Sequence, residues 1–89
     1  MLQRSIIIRN KLGLHARAAV KFVNTANRFG ADVRIVKDES EIDGKSILGI
    51  LTLAATQGSE IGLCIDGPDE EAAWEALSEL ISNRFGEKE

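Results

Sequence analysis

His15, the only histidine of the chain, is the residue with the clearest capacity for chemistry. It lies between a strand-like run and a helix-like run, directly before the first helical residues. The N-terminus of a helix offers unpaired backbone N–H groups and the positive end of the helix dipole, which together attract anions. A neutral imidazole nitrogen can act as a nucleophile near neutral pH. This placement favours a histidine that carries a phosphoryl group.

Two neighbours of His15 suit the same chemistry. Arg17 brings a permanent cation with a planar fork of donors for phosphate oxygens. Gly13 permits an unusual backbone angle in the turn that approaches the histidine. From these residues alone, a histidine that is only a polar cap or a surface residue remains the alternative.

Other site chemistries are disfavoured by the sequence. Zinc sites usually need three or four His, Cys or carboxylate ligands, and no companion ligand pattern accompanies His15. No Gly-x-Ser-x-Gly elbow is present, and 89 residues leave little room for a substrate cleft. The triplet Gly44-Lys45-Ser46 resembles the end of a P-loop, but Glu39 occupies the position of its first glycine. We therefore expect no metal, no cofactor and no ATP site.

Composition predicts one globular domain over residues 1–89. The chain is 44% hydrophobic and 28% charged, which disfavours disorder. Its net charge of −3 argues against a general nucleic-acid binder. The single Cys64 cannot form an internal disulfide, and no apolar stretch has signal-peptide or transmembrane character. We expect a cytoplasmic protein without membrane insertion.

Hydrophobic periodicity predicts four strands and three helices in the order βαββαβα. The strands are expected at residues 2–9, 31–37, a short segment ending near Ile42, and 59–66. The helices are expected at 16–29, at 47–55, and after Asp69, with a charged, frayed tail from Gly86. This order is typical of an α+β open-faced β-sandwich, with a four-stranded, mainly antiparallel sheet and three helices on one face. The other face, with Ser5, Arg34, Glu60 and Cys64, would be open to water.

The second helix is expected to begin after Ser46 as its N-cap, and it is apolar on more than one side. If its core-facing residues are Ile50, Leu53 and Ala54, a second apolar surface remains, which soluble monomers rarely keep without use. We expect a docking surface for partner proteins, formed by Ala19, Val20, Ile47, Leu48 and Leu51. The alternative is that both sides of the helix are buried within the domain.

Three segments together resemble HPr, the histidine phosphocarrier family of bacterial phosphotransferase systems. They are Lys11-Leu12-Gly13-Leu14-His15-Ala16-Arg17, Gly44-Lys45-Ser46-Ile47-Leu48-Gly49 and Thr56-Gln57-Gly58. The resemblance runs over almost the whole chain, with the family's spacing and order of elements. It implies that enzyme I phosphorylates the Nδ1 atom of His15 and that an enzyme IIA protein receives the group.

The resemblance also implies a stoichiometric carrier rather than an enzyme. Arg17 would stabilise the charge of the transferring phosphoryl group, and backbone amides near Ala16 and Arg17 would support the bound state. A freely diffusing carrier favours a monomer.

Ser46 matches the regulatory serine of the family, which an ATP-dependent HPr kinase/phosphorylase phosphorylates in many bacteria. A phosphate there is tolerated by the helix dipole, but it places negative charge beside the expected docking surface. A role as helix N-cap alone stays open.

Two departures from the family pattern leave the partner open. Ala18 stands where the family usually has proline, and Asn24 and Asn27 occupy positions that are often lysine in sugar-system members. Fewer lysines weaken the positive rim that steers acidic partners. A nitrogen-type regulatory paralogue, and a partner-binding module in which His15 is dispensable, are therefore the alternatives.

Overall fold

The computed structural model describes residues 1–88 and has a four-stranded sheet with three helices packed on one face. The strands are β1 (Leu2–Ile7), β2 (Asp32–Lys37), β3 (Ser40–Asp43) and β4 (Glu60–Asp66). The helices are α1 (Ala16–Ala26), α2 (Ile47–Leu53) and α3 (Glu70–Ser82). The predicted open-faced βαββαβα sandwich is confirmed.

All strand pairs are antiparallel, in the order β1-β4-β2-β3. Side chains alternate between the two faces of a strand, so Ile61, Leu63 and Ile65 of the inner strand β4 all point under the helices and are buried. On the opposite face Ser5, Arg34 and Glu60 are exposed and the free thiol of Cys64 is half-buried. The predicted open face is therefore confirmed.

The core joins the sheet to one stripe of each helix. In α1 the buried residues recur at helical spacing, and a large share of the core volume comes from Phe22. The buried residues of α2 and α3 are Ile50, Leu53, Ala73, Leu77 and Ile81. Trp74 packs partly buried against this core.

The first helix ends at Ala26, earlier than the stop at Gly30 predicts. The amides of Arg28 and Phe29 donate to carbonyls three residues back, so the last turn tightens out of α-helical geometry. Both Asp69 carboxylate oxygens then accept from backbone amides, of Gly30 at 2.8 Å and of Ala31 at 2.9 Å. Asp69 therefore ties this turn to the start of α3 instead of capping α3 with its side chain.

The second helix also ends early, at Leu53, and Ala54 is exposed instead of facing the core as expected. Ala54 adopts a left-handed backbone with φ 54°, which ends the helix and turns the chain back. Ala55 is buried instead, and its carbonyl accepts the Leu14 amide at 2.9 Å. The end of α2 is thus bonded to the residue that precedes His15.

None of the helices within residues 1–88 has the length and apolar character needed to cross a membrane.

Candidate functional site

His15 is the N-cap of α1, with an extended backbone at φ −75° and ψ 178°. Its carbonyl accepts the Ala19 amide at 2.8 Å and starts the helical hydrogen bonds, while its side chain makes no capping bond. The imidazole is therefore available for other contacts, and 25% of the side chain is exposed. The predicted placement of His15 at a helix start is confirmed.

Gly13 fixes the approach to His15 through a close backbone contact. Its φ is +68°, in the left-handed region that glycine adopts without steric cost. A Cβ atom at this position would lie 2.4 Å from the Ala55 carbonyl oxygen and 2.9 Å from the Thr56 Cα. The predicted need for an unusual backbone angle is confirmed, and the close approach explains why no side chain fits.

The first turn of α1 forms an anion-attracting end beside the imidazole. The amides of Ala16, Arg17 and Ala18 precede the first residue that can donate within the helix, so they have no intrahelical acceptor. The Arg17 side chain is exposed and makes no hydrogen bond or ion pair within residues 1–88. His15 and Arg17 thus both lie at the N-terminus of α1, and the Arg17 side chain is not bonded to any described residue.

A residue that the sequence reasoning missed contacts the imidazole directly. Glu87, which is 72 residues away in the chain, places Oε2 2.5 Å from the Nε2 atom of His15. Only 14% of the Glu87 side chain is exposed. Among the described residues Nδ1 has no hydrogen-bond partner, so the two ring nitrogens have different environments.

Asn10 holds the other oxygen of Glu87. The Asn10 side chain is fully buried, and its Nδ2 donates to Glu87 Oε1 at 3.0 Å and to the Gly13 carbonyl at 2.7 Å. One amide group thereby links the glycine turn to the carboxylate that contacts His15.

The surroundings of Glu87 favour its charged form. Burial alone would raise the pKa of the Glu87 carboxyl, but hydrogen bonds from His15 and Asn10 and the charges of His15 and Lys21 outweigh burial and lower that pKa. An ionised carboxylate only accepts hydrogen bonds, so the contact with a charged Glu87 is a hydrogen bond when Nε2 of His15 carries the hydrogen.

The tail reaches His15 through a left-handed turn at Arg84–Gly86. Arg84, Phe85 and Gly86 have φ of 57°, 56° and 75°, and for the two non-glycine residues this conformation costs about 1–2 kcal/mol each. Burial of the Phe85 ring offsets that cost, and Lys21 Nζ donates to the Phe85 carbonyl at 2.5 Å. The tail was expected to fray from Gly86; in the structure Gly86 belongs to this turn, and both carboxylate oxygens of Glu87 have hydrogen-bond partners.

Ser46 caps α2 as predicted. Its backbone is extended and its Oγ accepts the Gly49 amide at 3.0 Å, which satisfies one of the free donors of the first turn. The side chain is half-buried.

An apolar surface lies on the two helices nearest the site, and we call its members the exposed patch: Val20, Ile47, Leu48 and Leu51. Leu48 is the most exposed of them at 73%. Helix α1, which carries Val20, packs against α2, which carries the other three. Ala19 was expected here and does not belong, because it is on the core stripe of α1 and is 0% exposed.

Metal-ligating residues do not converge in the part of the chain that the structure describes. No group of three or more His, Cys, Asp or Glu side chains within residues 1–88 is arranged to hold an ion.

Comparison with known proteins decides the family. The family model for the PTS HPr component phosphorylation site matches residues 2–83. The chain belongs to the HPr family. A phosphocarrier protein HPr from Neisseria meningitidis serogroup A is 52% identical over 89 residues, covering all of both chains.

Solved structures of the HPr family share this fold. HPr-C-His from Thermoanaerobacter tengcongensis superposes with a TM-score of 0.96 at 44% identity, with full coverage of both chains. A structure described as an HPr dimer from the same organism has a TM-score of 0.78 at 45% identity, covering 98% of this chain and 100% of that one. The predicted resemblance to HPr is confirmed, and membership in the family implies phosphotransfer in the phosphotransferase system.

Proposed function

We propose that the chain is a single-domain, stoichiometric phosphoryl carrier over residues 1–89, which takes a phosphoryl group from phosphorylated enzyme I onto His15 and passes it to an enzyme IIA protein. The observation that carries this proposal is the position of the imidazole at the N-terminus of α1, beside first-turn amides without an intrahelical acceptor. No enzymatic turnover of its own is required of such a carrier, since donor and acceptor each supply part of the transfer site.

Arg17 and the first-turn amides have distinct roles in this proposal. Arg17 Nη and Nε donors neutralise the charge of the transferring group, and the amides of Ala16 and Arg17 hold its oxygens. Arg17 is solvent-exposed, so its electrostatic stabilisation is screened and modest. Modest stabilisation suits a carrier, because a group that is bound too tightly is not passed on.

The first test is intact-mass spectrometry after incubation with enzyme I and phosphoenolpyruvate. We expect one acid-labile phosphoryl group on the wild type and none on His15→Ala, since the chain has no second histidine. Arg17→Gln should slow transfer by roughly 10-fold, which corresponds to about 1.5 kcal/mol for one hydrogen bond to a charged group at an exposed position. Arg34→Gln, with the same charge change on the open face of the sheet, is the control and should transfer normally. Persistent acid-labile labelling of His15→Ala, or an unlabelled wild type beside an active control carrier, would contradict the proposal.

The exposed patch is our proposed docking surface for enzyme I and enzyme IIA. Apolar side chains on α1 and α2 that a monomer leaves in water fit the core of a protein interface. Leu48→Glu should therefore raise the KM of enzyme I for the carrier without changing its folding. Ile7→Glu places the same charge on an exposed apolar residue of β1, away from the helices, and should leave that KM unchanged.

Ser46 is our proposed site of regulatory phosphorylation by an HPr kinase/phosphorylase. Its position beside Ile47 and Leu48 means that a phosphate would bring about two negative charges to the exposed patch. Incubation with the kinase and ATP should add an acid-stable phosphate that is lost in Ser46→Ala and that slows transfer from enzyme I. If no phosphate is added, the role of Ser46 is the helix cap alone.

A nitrogen-type acceptor is the second candidate, favoured by one observation. Asn24 and Asn27, where sugar-system members often have lysine, are both exposed and leave α1 with fewer positive charges on its surface. Competition between a sugar-type and a nitrogen-type enzyme IIA for the phosphorylated chain distinguishes the two. If either acceptor binds His15→Ala and the wild type is never phosphorylated, a partner-binding module replaces both candidates.

We also propose that the carrier acts as a monomer in the cytoplasm. Sedimentation of the purified chain tests the first part, because an HPr from Thermoanaerobacter tengcongensis is described as a dimer. A dimer at micromolar concentration would contradict it.

A further inference from the structure

The carboxylate of Glu87 is placed to control which nitrogen of His15 reacts. Its Oε2 lies 2.5 Å from Nε2, while Nδ1 has no hydrogen-bond partner within residues 1–88. The contact is largely buried, since only 14% of the Glu87 side chain is exposed. Glu87 also lies beyond residues 2–83 that the family model matches.

We propose that Glu87 is a positioning residue for phosphoryl transfer: its carboxylate keeps the imidazole hydrogen on Nε2 and orients the ring so that the Nδ1 lone pair is the nucleophile. The inference rests on the proposed function of His15 as phosphoryl acceptor. A neutral imidazole has one N–H and one lone pair, and the partner of one nitrogen decides the role of the other.

The carboxylate can do this because both of its oxygens are fixed. Asn10 donates to Oε1 and the Nε2 atom of His15 contacts Oε2, so the plane of the carboxylate cannot rotate freely. Asn10 is fully buried and also donates to the Gly13 carbonyl, which ties the carboxylate to the turn that precedes His15. Both hydrogens of Asn10 Nδ2 are thereby used, which fixes the orientation of this amide, although its buried Oδ1 has no hydrogen-bond partner among the described residues.

Two features of the fold bring Glu87 to the imidazole. The left-handed turn at Arg84–Gly86 buries Phe85 and reverses the chain, and the Lys21 ammonium holds the Phe85 carbonyl. Lys21 belongs to α1, the helix that His15 caps, so the same helix positions both the nucleophile and the tail that contacts it. The groups that act on the Glu87 charge are His15, Asn10 and Lys21.

The transfer step is balanced without proton release from the reacting nitrogen. The Nδ1 lone pair forms the new N–P bond as the N–P bond of a phosphohistidine donor breaks, and that electron pair returns to the donor nitrogen. The hydrogen stays on Nε2, so the phosphorylated ring carries a positive charge, which the Glu87 carboxylate faces directly. Glu87 therefore favours the reactive tautomer before transfer and the ring cation after it.

Two variants remove the carboxylate in different ways: both take away the charge, and only Glu87→Gln leaves an oxygen that can accept a hydrogen bond. Glu87→Ala removes both oxygens. Glu87→Gln keeps the size of the side chain but offers only one oxygen, so it cannot accept from Asn10 and His15 together. Glu75→Gln is the matched control, because Glu75 is an exposed carboxylate on α3.

The test measures the ring and the transfer separately. Ring ¹⁵N chemical shifts of the unphosphorylated protein at pH 8 report the tautomer, and rapid-quench transfer from phosphorylated enzyme I reports the rate. We expect a predominant Nε2–H tautomer in the wild type and in Glu75→Gln, and a shift toward the mixture of free histidine in Glu87→Ala. The transfer rate of Glu87→Ala should fall by roughly 10-fold, the lower end of the loss on removing a carboxylate partner from a ligating histidine.

The outcomes distinguish this inference from the proposed function. A wild type that is never phosphorylated defeats the proposed function and the positioning role together. A wild type that is phosphorylated, with an unchanged tautomer in both Glu87 variants or with transfer rates within twofold of the wild type, overturns the positioning role alone. Amide spectra of the core residues check that each variant is folded before the tautomer and the transfer rate are measured.

Discussion

Substitution of Gly13 by alanine should destabilise the protein far more than the same change at Gly58. Both glycines have positive φ, +68° at Gly13 and +87° at Gly58, so an alanine at either is strained by about 1–2 kcal/mol. Alanine also lowers the conformational entropy of the unfolded chain, which stabilises the folded protein by about 0.4–1 kcal/mol in each case. These two contributions are matched between the variants and cancel in the comparison.

Steric overlap makes the difference between the two positions. A Cβ at Gly13 would lie 2.4 Å from the Ala55 oxygen and 2.9 Å from the Thr56 Cα, whereas at Gly58 nothing lies within 4 Å. The obstructing atoms are backbone, so no rotamer change relieves the overlap. Moving Ala55 away stretches its bond to the Leu14 amide, which is 2.9 Å long. Overpacking of this kind costs about 1–3 kcal/mol.

Urea denaturation at pH 7 measures the comparison. We expect Gly58→Ala to lose about 1 kcal/mol of unfolding free energy and Gly13→Ala to lose about 2–4 kcal/mol. Transfer from enzyme I should also slow in Gly13→Ala, because the displaced turn carries His15. The reasoning fails if the two variants differ by less than about 0.5 kcal/mol, the usual range of a surface substitution.

Three further predictions concern the tail and the α2 cap. Lys21→Met removes the bond to the Phe85 carbonyl but keeps an apolar stem; it should lower the unfolding free energy by about 1 kcal/mol and speed hydrogen exchange at Gly86 and Glu87, measured by NMR. The pKa of Glu87 is lowered in the folded state, so its contribution to stability is present above the unfolded pKa of about 4.5 and is lost as pH falls through the lower folded pKa. The gap between the urea midpoints of wild type and Glu87→Gln should accordingly be largest at pH 7 and narrow as pH falls below about 4.5, and a gap that stays equal at all pH values would contradict the shift. Ser46→Ala should cost about 1 kcal/mol by denaturation because the Gly49 amide loses its acceptor, while Ser46→Asp, which can still cap, should cost less.

Local sequence patterns predicted most of the scaffold and the core of the site. Apolar residues alternate along the strands and recur every three or four residues in α1 and α3. These residues form the buried faces of the elements, because side chains on one face recur with the period of the strand or helix. The positions of His15 and Ser46 at helix starts and of Gly13 in a left-handed turn were predicted correctly because they depend on neighbours within a few residues. The ends of α1 and α2 were predicted too late, since Asp69 and the left-handed Ala54 act through contacts that periodicity does not contain.

Glu87 and Asn10 could not be found in this way. Glu87 stands in a charged terminal segment, a pattern that ordinarily predicts fraying, and its partner is 72 residues away. The turn that brings it back uses positive φ at Arg84 and Phe85, residue types that give no signal for that conformation. One signal was present: an apolar Phe85 followed by Gly86 in an otherwise polar tail is compatible with a buried anchor and a reversal of the chain.

Arg17 and Glu87 carry opposite charges and have opposite tasks in our proposal. Arg17 is exposed and free of partners within residues 1–88, so it can meet a phosphoryl group that arrives from outside. Glu87 is held by Asn10 and by the ring itself, so it acts on the imidazole in both the free and the phosphorylated state. A site with only the arginine would stabilise the phosphoryl oxygens and leave the ring cation uncompensated. A site with only the carboxylate would repel the incoming anion. With both, the phosphorylated and free states stay close in free energy, which is the condition under which a carrier both accepts and releases its group.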